Sequence, residues 1–190
     1  NINESYGALN DLVDSGIIRS IGLSNDTSWG VMKFLEISKT KNFPKIVSVQ
    51  NPYSLLNRIF EINMSEISEI ENVKLLAYSP LGFGMLTGKY INNKPGNSRL
   101  SLWNRFNRYS NKYAKDATQK YAELAKKYNL TPTQLALSFV NQQPFVTSNI
   151  IGATNLTQLK ENINSININL NQEVLDEIET IHQHQPNPAP

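Results

Sequence analysis

Residues 73–82 read Val73-Lys74-Leu75-Leu76-Ala77-Tyr78-Ser79-Pro80-Leu81-Gly82. A short apolar run is the pattern of a buried strand, and Ser79-Pro80 ends it, because proline lacks an N–H and steers its predecessor away from helix. The same grammar recurs three times. Ile17-Ile18-Arg19-Ser20-Ile21-Gly22-Leu23 stops at Ser24-Asn25, Ile46-Val47-Ser48-Val49-Gln50 stops at Asn51-Pro52, and Ser148-Asn149-Ile150-Ile151 stops at Gly152-Ala153-Thr154. Strands separated by helices predict parallel pairing, with ligand-binding residues at the carboxyl ends of the strands.

The helical patterns fall between those runs. One carries Trp29, Met32, Phe34, Leu35 and Ile37, and a second runs from Glu61 to Glu71 with Ile62, Ile67 and Ile70 as its stripe. Periodicity resumes from Tyr109 to Tyr128 and breaks at Asn129-Leu130. Thr131-Pro132-Thr133-Gln134 then starts a helix with a capping threonine and proline at its first position, carrying Leu135, Leu137, Phe139 and Val140. Further helices are predicted around Leu156 to Ile163 and from Gln172 to about Gln183, followed by the tail Pro186-Asn187-Pro188-Ala189-Pro190. The irregular stretch from Phe83 to about Arg108 is far longer than the ~2–6 residues of an ordinary strand-to-helix loop, which marks it as functional or disordered.

Composition narrows the function classes. The 190 residues are 39% hydrophobic and 18% charged with a formal net charge of +2, so they can bury a core, and the chain is neither disordered nor collagen-like. Lysine and arginine are spread along the chain rather than gathered in a nucleic-acid stripe. No apolar run approaches the ~18 residues of a membrane helix, and nothing resembles a secretory leader. Absence of cysteine excludes disulfides, thiolate metal sites and a cysteine nucleophile, and fits a reducing, cytoplasmic setting. The many asparagines sit at caps and turns, and their Asn-x-Ser/Thr triplets read as chance. Because residue 1 is Asn1 rather than methionine, the chain is expected to be a piece of something longer.

The four strand ends share a chemistry. Ser24-Asn25, Gln50-Asn51, Tyr78-Ser79 and Gly152-Ala153-Thr154 offer amides and hydroxyls suited to a carboxamide and an aromatic face suited to a heteroaromatic ring. Any one pair could be an ordinary turn. Four in succession point to a binding edge.

With Ile21-Gly22-Leu23-Ser24-Asn25, Val49-Gln50-Asn51-Pro52-Tyr53, Ala77-Tyr78-Ser79-Pro80-Leu81-Gly82 and Ile151-Gly152-Ala153-Thr154-Asn155, the chain resembles the second half of an aldo-keto reductase. The similarity is strongest to the branch holding Tas-like reductases and the β-subunits of voltage-gated potassium channels. It implies an α/β fold, the second half of a (β/α)8 TIM barrel, with residues 1–190 supplying strands 5 to 8 and their helices. Residues of about 82–108 would form a cofactor-covering loop, and 172–190 a C-terminal helix and tail. It further implies an NADP(H) cofactor and a small carbonyl substrate, an aldehyde or ketone reduced to an alcohol. Ser24, Asn25 and Gln50 would hold the nicotinamide carboxamide, Tyr78 would stack on the ring, and Ser79, Leu81 and Gly82 would line the pyrophosphate. Gly88-Lys89 and Ser98-Arg99 would reach over the phosphates, while Ala153, Thr154, Asn155, Gln158, Glu161 and Asn162 would hold the adenosine 2′-phosphate and adenine. Many family members carry arginine where this sequence has Gln158, a departure usual in the branch named.

The resemblance also implies what the chain lacks. The family's proton donor, a tyrosine beside a lysine, an aspartate and a histidine, belongs to the first half of the barrel, so the chain alone is expected to be inactive. The alternative is a catalytically silent NADP(H)-binding or partner-binding module of the channel β-subunit type. A half barrel would leave strand edges unpaired, which predicts self-association of such halves.

Other motifs fail. Gly82-Phe83-Gly84-Met85-Leu86-Thr87-Gly88-Lys89 is out of register for a phosphate loop, with Tyr90 replacing the required hydroxyl residue, and Thr87 occupies the third glycine position of a dinucleotide fingerprint. His182-Gln183-His184 has no third metal ligand nearby. Arg105, Arg108, Lys112 and Lys115, interleaved with Trp103, Phe106 and Tyr109, read as an amphipathic segment with solvated charges flanking the covering loop.

Overall fold

A computed structural model describes residues 1–92, 95–96, 98–102 and 108–190. Trp103, Arg105 and Phe106 lie outside the described residues. Four strands, β1 (Ile21–Ser24), β2 (Ile46–Pro52), β3 (Lys74–Tyr78) and β4 (Val146–Asn149), form one sheet in the order β1-β2-β3-β4. Every pairing is parallel, as the alternation of strand and helix requires. The helices are α1 (Ile2–Asp14), α2 (Ser28–Lys41), α3 (Phe60–Ile70), α4 (Arg99–Leu102), α5 (Lys112–Lys127), α6 (Pro132–Asn141), α7 (Leu156–Asn164) and α8 (Gln172–His184).

This architecture corrects the expected fold class. The sheet is open: β1 and β4 each pair on one side only, and nothing among the described residues joins them. Closing a barrel of this type takes about eight tilted strands. The chain is therefore a partial α/β domain of four strands with helices, not strands 5 to 8 of a barrel.

Alternation within the strands decides what faces the helices. Leu75 and Ala77 of β3 are buried, whereas Lys74, Leu76 and Tyr78 are half-exposed on the opposite face. Register places Ser48 beside Lys74, and Gln50 between Ser24 and Leu76, so that face is mainly polar. Gly22 belongs to it, because a Cβ there would stand 2.5 Å from Ser48 Oγ. The covered face merges with one core containing Val31, Leu35, Val49, Leu75, Ala125, Leu135, Phe139 and Ile178.

Element boundaries follow local chemistry. β1 begins only at Ile21, because Gly16 (φ 71) ends α1 and the N–H groups of Ile17 and Ile18 both turn back to Leu12 O. Thr131 caps α6 in a capping box with Gln134 and proline at the helix start. Asn111 caps α5, which therefore begins at Lys112 rather than at Tyr109. In α3 the buried positions are Phe60, Met64 and Ser68, while Ile62 and Ile70 are 67% and 72% exposed, so the stripe read from isoleucines faces mostly outward.

Candidate functional site

Three strand ends meet at Asn25. Its N–H donates to Gln50 O at 3.0 Å, its Nδ2 to Ser24 Oγ at 3.2 Å, and its Oδ1 accepts the Tyr78 hydroxyl at 2.7 Å. The geometry needs Asn25 at φ 53, a left-handed conformation that asparagine tolerates better than most residues. Just behind, Asn51 Nδ2 donates to Asp26 O at 3.1 Å and Tyr53 N to Tyr78 O at 3.2 Å, which fixes the three loops relative to one another. Ser24, Asn25, Gln50 and Tyr78 are thus one cluster at the carboxyl end of the sheet. It presents a serine hydroxyl, two amides and a ring.

The turn after β3 runs through Ser79 (φ 56) and closes with Gly82 N donating to Ser79 O at 2.9 Å. It leads into a 3-10 helix over Gly82–Thr87, half-buried at Leu81 and buried at Gly82. Tyr109 backs this turn. Burial raises its pKa, against the opposing pull of the Arg108 guanidinium and the Ser79 side chain. Farther along, Lys89 and Arg99 are exposed, whereas Ser98 is buried with its hydroxyl donating to Pro95 O at 2.7 Å and 2.9 Å from Ser101 Oγ. The Ser98 hydroxyl is thus occupied inside its own turn.

Beyond β4, Ile150 N donates to Ala77 O at 2.8 Å, so the residues after β4 emerge beside the end of β3. Gly152, Ala153 and Thr154 lead exposed into α7, whose N-cap is Asn155, accepting from Gln158 N at 3.0 Å. The Gln158 side chain folds back, its Oε1 accepting from Thr154 N and Thr154 Oγ1 at 3.0 Å each. No acidic residue lies in the first turn of α7, so its free N–H groups and dipole favour an anion. Asn162 is buried and donates to Gly152 O at 3.2 Å, and Glu161 accepts from Thr131 Oγ1 at 2.6 Å. Asn162 thus holds the loop after β4, and the half-buried Glu161 ties α7 to the start of α6.

Sequence reasoning missed a charged knot below the site. Arg58 donates to Glu61 through Nε and Nη2, each at 2.7 Å, and its Nη1 lies 2.9 Å from Glu179 on α8, an ion pair without good hydrogen-bond alignment. Burial pulls against the Arg58 charge, but Glu61 more than offsets it and the pKa is raised. The fully buried Tyr53 hydroxyl donates to Glu61, and burial raises its pKa well above the ordinary value, with the Glu61 charge adding to the rise. The tail docks here too, with Arg58 N donating to Asn187 Oδ1 and Ala189 N to Leu56 O. The i, i+3 spacing of Arg58 and Glu61 was its one signal in the sequence.

An open, mainly apolar cavity of about 350 Å³ lies beside Asp26 and Asn51, between α2 and α3, and is lined by Pro52, Ile59, Phe60, Ile62 and Met64. Among the described residues no group of three or more metal-ligating side chains occurs, and no helix is long and apolar enough to cross a membrane.

Comparison with known proteins gives a consistent result. The sequence pattern of the Aldo/keto reductase family matches residues 1–183. Protein tas of Escherichia coli K12 is 48% identical over 188 residues, which are 98% of this chain and 54% of that protein. An aldo-keto reductase of Babesia bovis is 36% identical over 169 residues, 85% of this chain and 59% of its own length. The NADH-specific methylglyoxal reductase of Escherichia coli K12 is 30% identical over 171 residues, covering 89% and 50%. The chain spans about half the length of the curated relatives it matches. The match over 1–183 is to the family's domain in part, and with the open sheet it sets aside the reading of this chain as the last half of a barrel.

Proposed function

The chain belongs to the aldo/keto reductase family, whose members are oxidoreductases that use nicotinamide cofactors, and on that premise we propose that it holds the cofactor of an NADP(H)-dependent reductase of aldehydes and ketones. The observation that carries the reading is the Ser24–Asn25–Gln50–Tyr78 cluster, with its bond from Tyr78 to Asn25. In this reading Ser24, Asn25 and Gln50 bind the carboxamide, and Tyr78 holds the nicotinamide flat so that one face is open. Ser79, Leu81 and Gly82 shape the pyrophosphate floor, and Lys89, Ser98 and Arg99 reach over the phosphates. Ala153, Thr154, Asn155 and Gln158 at the start of α7 receive the 2′-phosphate, which favours NADP(H), with Glu161 and Asn162 holding that loop in shape.

The donor set fits such a group: neutral amides beside a ring, the exposed cations Lys89 and Arg99, and a helix amino end with no acidic residue in its first turn. When bound, the reduced cofactor supplies a hydride to the carbonyl carbon. The carbonyl oxygen then needs a proton donor. Both histidines lie on α8, and the buried Tyr6 hydroxyl donates to Pro44 O, so neither serves the cluster. We assign the proton donor to a part of the whole protein outside these residues, in a cytoplasmic enzyme. The test mixes the chain with NADPH and a reactive aldehyde. Binding without steady loss of NADPH absorbance is expected. Sustained turnover would overturn the assignment of the donor elsewhere. The silent cofactor-binding module is the second reading, favoured by the engagement of the Tyr78 hydroxyl with Asn25 Oδ1, and activity of the whole protein would refute it.

A further inference from the structure

Two exposed cations of the segment after β3, Lys89 and Arg99, are held on aromatic faces. Lys89 Nζ lies 5.1 Å from the centre of the Tyr90 ring and the Arg99 guanidinium 5.2 Å from that of Phe83. Among the described residues neither cation is in an ion pair. The backbone is shaped to make this possible. Gly82, Phe83 and Gly84 follow one another at φ 53, 53 and 95, and Phe83 is the kind of bulky residue that rarely adopts such a conformation. The Phe83 ring is held at 5.0 Å against Tyr109 in an edge-on contact. At Gly84 a Cβ would stand 3.0 Å from both Cε and Nζ of Lys89, so the bare glycine lets the lysine lie back across the turn. The Tyr90 hydroxyl accepts from Leu100 N at 3.3 Å, which ties the Lys89 side of the segment to α4, the helix that Arg99 begins.

We propose that Phe83, Gly84 and Tyr90 are positioning residues, which pre-place Arg99 and Lys89 on ring faces to receive the phosphates of a dinucleotide cofactor. This rests on the reading above, in which those two cations meet the cofactor. A long cationic side chain left free in solvent loses rotamer freedom when it meets a phosphate, and a ring face removes part of that loss in advance. The ring contact is weak enough to release the charge, because a charge-assisted bond to phosphate is stronger than an exposed cation–π contact.

A double-substitution cycle on the full chain tests the assignment, with NADPH affinity read from cofactor fluorescence. Lys89→Met weakens binding. Tyr90→Leu weakens it about two- to fivefold when Lys89 is present and has no further effect in the Lys89→Met background. Tyr90→Phe, which keeps the ring face but gives up the bond from Leu100 N, binds more tightly than Tyr90→Leu. An equal loss from Tyr90→Leu in both backgrounds, no loss in either, or a Tyr90→Phe variant as weak as Tyr90→Leu would overturn the positioning role. A Lys89→Met variant that binds NADPH normally would instead overturn the phosphate reading on which it rests, so the two failures are distinct.

Discussion

Asn25 carries three contacts of the cluster on one short side chain and its own N–H, and it does so from a left-handed backbone position. Remove the Tyr78 hydroxyl and Asn25 Oδ1 loses its donor, while the ring face remains. Tyr78→Phe is therefore expected to weaken NADPH binding roughly two- to tenfold, the range of one hydrogen bond, in a fluorescence titration. Tyr78→Ala, which removes the stacking face as well, should weaken it further. Equal affinities for Tyr78→Phe and Tyr78→Ala would show that the ring does no stacking. At this scale the sequence was informative about Ser24, Asn25, Gln50 and Tyr78, because polar residues at the ends of apolar runs are visible as such. It was silent on Phe83: nothing in Gly82-Phe83-Gly84 announces that the middle residue shares the conformation of its flanking glycines.

Among the elements, α8 is docked by charge as well as by Val174 and Ile178. His182 sits on the same helix as Glu179, facing Arg58 and Glu61, and its Nδ1 is buried without a hydrogen-bond partner. Burial lowers its pKa from 6.5, Arg58 lowers it further, and the carboxylates of Glu179 and Glu61 oppose the shift. A histidine that binds its proton less readily when folded leaves stability intact above its unfolded pKa, near 6.5, and that stability is lost as the pH falls below it. Urea midpoints should therefore drop between about pH 7 and pH 5, and His182→Gln should flatten that part of the drop. An unchanged pH dependence in His182→Gln would refute the contribution. The strand runs and the capping of α6 were legible because turn residues and caps are local signals. The Ile62 and Ile70 stripe misled because apolar spacing identifies a helix without saying which side meets the sheet. β4 starts at Val146, two residues before the apolar Ser148–Ile151 stretch suggests, since register with Leu75 and Leu76 decides its extent.

On the scale of the molecule, the described residues form an open sheet whose outer strands β1 and β4 each pair on one side only, and the chain spans about half the length of its relatives. The exposed Leu156, Ile163 and Ile166 lie on and just after α7, the helix that follows β4 in the chain. Edges and apolar side chains of this kind favour association, and the purified chain is expected to sediment as dimers or larger species; a clean monomer at high concentration would contradict that. The number of strands was readable from the sequence, but closure was not. Four repeats of strand and helix look the same whether or not further strands complete them. The central claim concerns the cofactor, and calorimetric titration of the chain with NADPH tests it most directly. Saturable binding, weakened when Gln50 is replaced by alanine and weaker for NADH than for NADPH, is the predicted result, and no heat or fluorescence change at saturating NADPH would contradict the account.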